Sequence, residues 1–222
     1  MASTHKIHAA IFDMDGLLID SEPLWEQAER EILSSLGVDT SRHHELPETL
    51  GVRIDVVVDL WFNLMPWTGP SCAEVTALVI KRVVELVEQQ RPLKPGVREA
   101  LALCKAQGLK IGLASASPLS MLEKVLEIFE LRDYFDTLAS AEHLPYSKPH
   151  PQVYLNAAAQ LNISPVNCVA LEDSVTGMVA SKAARMRSIV VPIIESLSDP
   201  RWGLAEVKLS SLEQLTASNL TG

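Results

Sequence analysis

The sequence predicts an α/β fold in which a buried parallel sheet carries helices on its faces and an all-helical insert follows the first strand. Three observations predict it. Short runs that are apolar at nearly every position alternate with segments of helical period. Between about residues 19 and 91 the helical spacing continues with no convincing strand. Chemically capable side chains recur where the apolar runs end. Parallel strands need helical crossovers and are covered on both faces, so they read as continuous apolar runs.

Ile7 to Phe12 form the first strand, which stops at Asp13-Met14-Asp15-Gly16, where Gly16 permits a tight turn. From Ser21 to Leu36 the positions Leu24, Ala28, Ile32 and Leu36 repeat every four residues. With Pro23 in the first turn and Gly37 as a C-cap, this predicts a helix. Helical spacing continues less regularly from about Ile54 to Leu64, and again from Ala73 to Val87 through Val75, Leu78, Val79, Val83, Leu86 and Val87. After Pro92, Pro95 and Gly96, a helix from about Val97 to Gln107 ends at Gly108 and leads into the strand KIGLA. Ser117 is expected to cap the next helix, with Pro118 at its first position and a stripe of Met121, Leu122, Val125, Leu126 and Phe129. TLAS reads as a short strand, Pro151 to Leu161 as a helix and CVALE as a strand; a helix near Gly177 to Ala184 and the strand SIVVP follow. The chain thus divides into a core, 1–18 and 92–222, and a helical domain, 19–91. The helical domain is expected beside the C-terminal edge of the sheet, where open α/β folds bind ligands.

Composition narrows the function. The chain has 222 residues, 47% hydrophobic and 21% charged, which suits one large globular domain with an insert. Its 19 basic against 28 acidic side chains, a net charge of -9, argue against nucleic acid or an anionic membrane as partner. No apolar run reaches the roughly 18 residues that span a bilayer, and the richest, Val56 to Met65, is broken by Asp59 and Asn63. The apolar segment Ile7 to Phe12 is too short for a signal peptide, so a cytoplasmic location is expected. Cys72, Cys104 and Cys168 form no CxxC pair and read as reduced thiols.

Asp13 and Asp15 follow a buried strand two residues apart, which by itself fits a turn as well as a site. The end of KIGLA offers Ser115, Ala116 and Ser117, a hydroxyl with backbone N–H groups near a helix start, suited to an anion or to simple capping. Lys148 sits between Ser147 and Pro149, either functional or a solvated loop lysine. CVALE ends with Glu172 and Asp173. If these strand ends converge, three or four carboxylates share one crevice. Each close pair then repels by about 4 kcal/mol at 4 Å and an effective dielectric of 20. Such a cluster requires a cation, and oxygen-only ligands favour Mg²⁺ that keeps some waters and bridges to a phosphate.

The order Asp13-x-Asp15, Ser115, Lys148, Glu172-Asp173, within the segments GLASAS, SKPHP and LEDS, resembles the four motifs of the haloacid dehalogenase superfamily, in its phosphatase branch. The resemblance implies a Rossmann-like core with a helical cap inserted after the first strand. It also implies a monomer and a small-molecule sugar phosphate as substrate, a hexose or hexitol phosphate such as 2-deoxyglucose 6-phosphate or sorbitol 6-phosphate. Residue by residue, it implies that Asp13 attacks phosphorus to form an aspartyl phosphate. Asp15, starting protonated, gives its proton to the leaving oxygen and then takes one from water. Ser115, the Ala116 amide and Lys148 hold the phosphoryl oxygens. Mg²⁺, with Mn²⁺ or Co²⁺ as substitutes, is held by the Asp13 carboxylate, the Asp15 carbonyl and Asp173, with Glu172 a direct or water-mediated ligand. Closure of the cap excludes water. Arg53, in LGVR, is expected to contact a substrate oxygen or else to pair with its neighbour Asp55. Trp61, Met65 and Trp67 line a sugar site or else fill the cap's own core.

Three other activities resemble this set. The β-phosphoglucomutases share the core residues but carry a histidine where this chain has Trp25, and they need cap cations for a second phosphate. Here those candidates are Arg53, Lys81 and Arg82. A phospho-receiver domain also combines Asp, Ser or Thr, and Lys around Mg²⁺, but its aspartate ends a middle strand and it has no large helical insert. A haloalkanoate dehalogenase needs no metal site. Release of phosphate to water is the expected reaction.

Overall fold

The computed structural model describes residues 6–47, 49, 51–193 and 196–221. In chain order it forms β1 (Ala9–Phe12), α1 (Glu22–Ser35), α2 (Ile54–Leu64), α3 (Cys72–Gln90), α4 (Val97–Ala106), β2 (Lys110–Ser115), α5 (Leu119–Ile128) and β3 (Thr137–Ser140). It continues with α6 (Gln152–Gln160), β4 (Cys168–Glu172), α7 (Val175–Ala183), β5 (Arg187–Val190), β6 (Val207–Lys208) and α8 (Ala217–Thr221).

All six strands are parallel, in the order β3-β2-β1-β4-β5-β6. The chain first builds outward from β1 through β2 and β3, then returns to β1's other side with β4. The reversal leaves a crevice beyond the C-terminal ends of β1 and β4, where open parallel sheets take their ligands. Successive residues of β1 face opposite sides. Ala10 and Phe12 join the buried cluster under α4 and α5, while Ala9 and Ile11 join the cluster under α6 and α7.

Between β1 and α4 the described chain is helical. Leu24 and Ala28 of α1, Val57, Val58 and Trp61 of α2, and Val75, Val79 and Val83 of α3 are all buried. The two connections to the sheet run side by side, joined by Asp20 N–H to the Pro92 carbonyl and Lys94 N–H to the Leu18 carbonyl, both 2.9 Å. The start of α3 is set by a reciprocal cap between Ser71 and Glu74, the Ser-x-x-Glu spacing of a capping box. Trp61 and Trp67 fill the helical core: Trp67 donates to the Pro70 carbonyl and meets Phe62 edge-on with ring centroids 4.7 Å apart.

Ser117 does not cap α5. The helix begins at Leu119 after Pro118, and the Ser117 hydroxyl turns to Asp15 instead. The strand β6 and the 3₁₀ turn Thr40–Glu45 went unpredicted because neither is long enough to show a period. No helix among the described residues is long and apolar enough to cross a membrane. Cys104 and Cys168 are free and buried, and burial pushes both thiols up to about 12.

Candidate active site

Adjacent β1 and β4 bring Asp13 and Glu172 together at the crevice, and the loop after β3 carries Lys148 between them. Its Nζ donates to Asp13 Oδ1 and to Glu172 Oε1, each at 2.6 Å. Both carboxylates and the lysine are buried. Burial opposes the lysine's charge, but Asp13 and Glu172 overcome it and hold the ammonium above its ordinary value. Tyr154, wholly buried on α6, also donates to Glu172 Oε1, and its ring lies 5.1 Å from Lys148 Nζ. Ser174 supplies Glu172 Oε2 from its backbone N–H at 3.4 Å and its hydroxyl at 3.1 Å. Both oxygens of Glu172 are therefore engaged within the protein.

Asp173 is different. It too is buried, yet no hydrogen bond reaches its carboxylate among the described residues. Asp13, Glu172 and Asp173 offer oxygens within 4.8 Å of one another. Burial raises Asp13 to about 8; Lys148 opposes this and Glu172 and Asp15 add to it. Burial, then Asp13 and Glu172, pushes Asp173 well above the carboxylate range. Two glycines allow this crowding. A Cβ on Gly16, whose φ is +78°, would lie 2.0 Å from Asp173 Oδ2, and one on Gly177 would lie 1.9 Å from Glu172 Oε1.

Asp15 joins the sheet to the helical segment. Its Oδ1 accepts from Ser21 Oγ at 2.7 Å and Trp25 Nε1 at 3.1 Å, both at the start of α1. Its Oδ2 accepts from Ser117 Oγ at 2.7 Å and Ser115 Oγ at 3.4 Å, both at the end of β2. Side chains from the start of α1 and from the end of β2 thus hold both oxygens of Asp15. The Asp15 carbonyl and the Ala116 N–H have no partner among the described residues. Ser21, Trp25 and Tyr154 are not foreseen as site residues, and Ser117, expected at an anion site or as a cap, instead holds Asp15. Only Trp25 left a trace, as the tryptophan at the mutases' histidine position.

Several of these groups line a cavity of about 350 Å³. Asp13, Asp15, Ser115, Ala116, Lys148 and Asp173 lie at one side, and Glu22, Trp25, Glu26 and Glu29 of α1 at another. Arg53 also lines it, but its guanidinium is occupied. Nε and Nη2 bind Asp55 at 2.7 and 2.8 Å, and Nη1 donates to the Ala141 and Leu144 carbonyls at 3.0 and 2.8 Å. Arg53 thus pairs with Asp55, as one of its two expected readings has it, and also ties the helical segment to the loop that leads to Lys148. Arg82 pairs with Glu31 and Glu85, and neither it nor Lys81 lines the cavity. Trp61, Met65 and Trp67 do not line it either.

Fold and site together define an α/β enzyme with a carboxylate–lysine centre at the C-terminal edge of a parallel sheet. The family of haloacid dehalogenase-like hydrolases matches residues 7–185, and the chain belongs to it, with its Rossmann-like fold. Hexitol phosphatase B of Escherichia coli K12 is 68% identical over 222 residues, all of both chains. Among solved structures, CbbY from Rhodobacter sphaeroides in complex with xylulose-(1,5)bisphosphate superposes with a TM-score of 0.86 at 27% identity, covering 97% of this chain and 100% of that one. The β-phosphoglucomutase of Clostridium difficile gives 0.80 at 27%, covering 96% and 94%.

Proposed function

We propose that the chain is a Mg²⁺-dependent phosphatase that hydrolyses hexose or hexitol phosphates, such as 2-deoxyglucose 6-phosphate and sorbitol 6-phosphate, through an aspartyl phosphate. The observation that carries this reading is the Lys148 ammonium locked between Asp13 and Glu172 while the neighbouring Asp173 carboxylate is left without a donor. A lysine fixed beside a buried carboxylate suits a phosphoryl group, and an unpartnered buried carboxylate suits a cation. The oxygen-only donor set fits a hard divalent ion such as Mg²⁺. Asp13, the Asp15 carbonyl and Asp173 would hold it. Glu172, with both oxygens engaged, serves to place Lys148. When bound, the ion neutralises phosphoryl charge.

In this reading Asp13 attacks phosphorus with Oδ2, since Oδ1 is held by Lys148. Lys148, Ser115 and the Ala116 N–H orient the phosphoryl oxygens. Asp15 gives a proton to the departing sugar oxygen and later removes one from the water that cleaves the aspartyl phosphate, which returns Asp13 and releases phosphate. Hydrolysis is favoured over transfer to a second sugar position because Arg53 is engaged by Asp55 and two carbonyls, and Trp25 rather than histidine contacts Asp15. The free thiols support a cytoplasmic enzyme.

The likeness to a β-phosphoglucomutase supports a second reading, isomerisation of a sugar phosphate. One experiment separates the two. Phosphate release is measured from 2-deoxyglucose 6-phosphate, sorbitol 6-phosphate and β-glucose 1-phosphate, with Mg²⁺ or with chelator, and with Asp13→Asn as blank. Many Mg²⁺-dependent turnovers, absent in the blank, support the phosphatase. Glucose 6-phosphate formed from β-glucose 1-phosphate without phosphate release overturns it in favour of the mutase.

A further inference from the structure

Tyr154 stands on the face of α6 that packs Val153, Ala157 and Ala158 into the apolar cluster beneath that helix, and it is wholly buried. A hydroxyl in such surroundings costs stability unless it finds a partner. Its partner is Glu172 Oε1, the same oxygen that accepts from Lys148 Nζ. The Tyr154 ring lies 5.1 Å from that ammonium, near enough to attract its charge. The chain ties the two residues together as well. Only Pro149, His150 and Pro151 separate Lys148 from the start of α6, and the two prolines narrow the freedom of the backbone there.

Ser174 holds the other oxygen of Glu172, and Gly177 closes the space beside the carboxyl. Without the Tyr154 hydroxyl, Oε1 would keep only its bond to Lys148. We propose that Tyr154 is a positioning residue for phosphoryl transfer: its hydroxyl fixes Glu172, and Glu172 in turn aims the Lys148 ammonium at the phosphoryl oxygens. This role rests on the phosphatase reading above, in which Lys148 orients those oxygens. Tyr154 does not line the cavity, so it acts through Glu172 and Lys148 alone. The lysine carries its charge with or without the hydroxyl, whereas its aim depends on it. The expected signature is therefore a loss in kcat with little change in KM.

Tyr154→Phe keeps the ring and removes only the hydroxyl, so the variant is expected to fold, with Tm lower by roughly 2–12 °C. Its kcat and KM are measured in Mg²⁺ on sorbitol 6-phosphate and p-nitrophenyl phosphate at a temperature where circular dichroism shows it folded. We expect kcat to fall about tenfold on both substrates, which share only the phosphoryl group, with KM within about threefold of wild type. In a Glu172→Ala background the hydroxyl has no carboxylate to hold, and the same change lowers kcat by less than about twofold. A folded Tyr154→Phe protein that melts lower but keeps the wild-type kcat overturns the proposal, as does a full tenfold loss in the Glu172→Ala background. A loss confined to sorbitol 6-phosphate overturns it too, because that places the effect on the leaving group. In all three cases wild-type turnover of p-nitrophenyl phosphate still upholds the phosphatase. No turnover of either substrate by the wild type overturns the phosphatase reading, and this role with it.

Discussion

Replacing Gly177 by alanine tests the geometry around Lys148 with a change whose sign is diagnostic. In an ordinary helix Gly→Ala stabilises by about 0.5–1 kcal/mol. Gly177 lies in the first turn of α7, and its added Cβ would fall 1.9, 2.0 and 2.2 Å from the three carboxyl atoms of Glu172. That carboxyl cannot swing aside freely, because Lys148, Tyr154 and Ser174 all hold it and the residue is wholly buried. Overpacking costs about 1–3 kcal/mol, and a displaced partner leaves buried donors unmet at about 1–3 kcal/mol more. The net expectation, after the helix gain, is a loss of about 1–5 kcal/mol and a fall in Tm of roughly 2–20 °C for a chain of this size. Lys148 loses its inner anchor, so kcat/KM for a hexitol phosphate falls by about tenfold or more. Thermal melts followed by circular dichroism and a phosphate-release assay measure both. A Tm that rises, with unchanged kinetics, refutes the packing of Gly177 against Glu172.

Three other outcomes are expected. Glu29 titrates near 7 when folded and at its ordinary 4.5 when unfolded, so its cost to stability builds as pH rises between those values and is complete above 7. Glu29→Gln therefore stabilises by roughly 1–2 kcal/mol above pH 7, allowing for its part exposure, and by little near pH 4.5; equal gains at both contradict this. In chelator, the buried carboxyl of Asp13 keeps its proton up to about 8, so stability falls as pH rises from 3.8 towards that value. Because Mg²⁺ competes with those protons, its stabilisation, about 2.7 kcal/mol at a hundred times Kd, grows over the same range, and a shrinking Tm difference would refute the assignment. Arg53→Ala frees the loop at Ala141 and Leu144 and is expected to lower kcat/KM several-fold for sorbitol 6-phosphate and p-nitrophenyl phosphate alike, whereas loss on the sugar alone would restore Arg53 as a substrate contact.

Some of this is legible along the chain because it is local. Buried parallel strands must be apolar at every position, so AAIF and CVALE announce themselves, and Asp13, Ser115, Glu172 and Asp173 are marked by standing where such runs stop. The pairing of Arg53 with Asp55, two residues away, belongs to the same class. What could not be read depends on the strand order and on atoms far apart in sequence. Arg53 meets Leu144 across 91 positions, Ser117 meets Asp15 across 102 and Lys148 meets Asp13 across 135. Tyr154 reads as one more apolar position on a helix until α6 packs its hydroxyl against Glu172, and nothing near Gly177 says that a carboxylate will lie where its Cβ would be. Periodicity reports which face of an element is dry, and so the sequence by itself determined the main elements, the parallel character of the sheet and the carboxylate, serine and lysine candidates at its strand ends and in the loop after β3. Which carboxylate is saturated and which is left without a donor were decided by tertiary structure, because those depend on distances that only the closed fold defines.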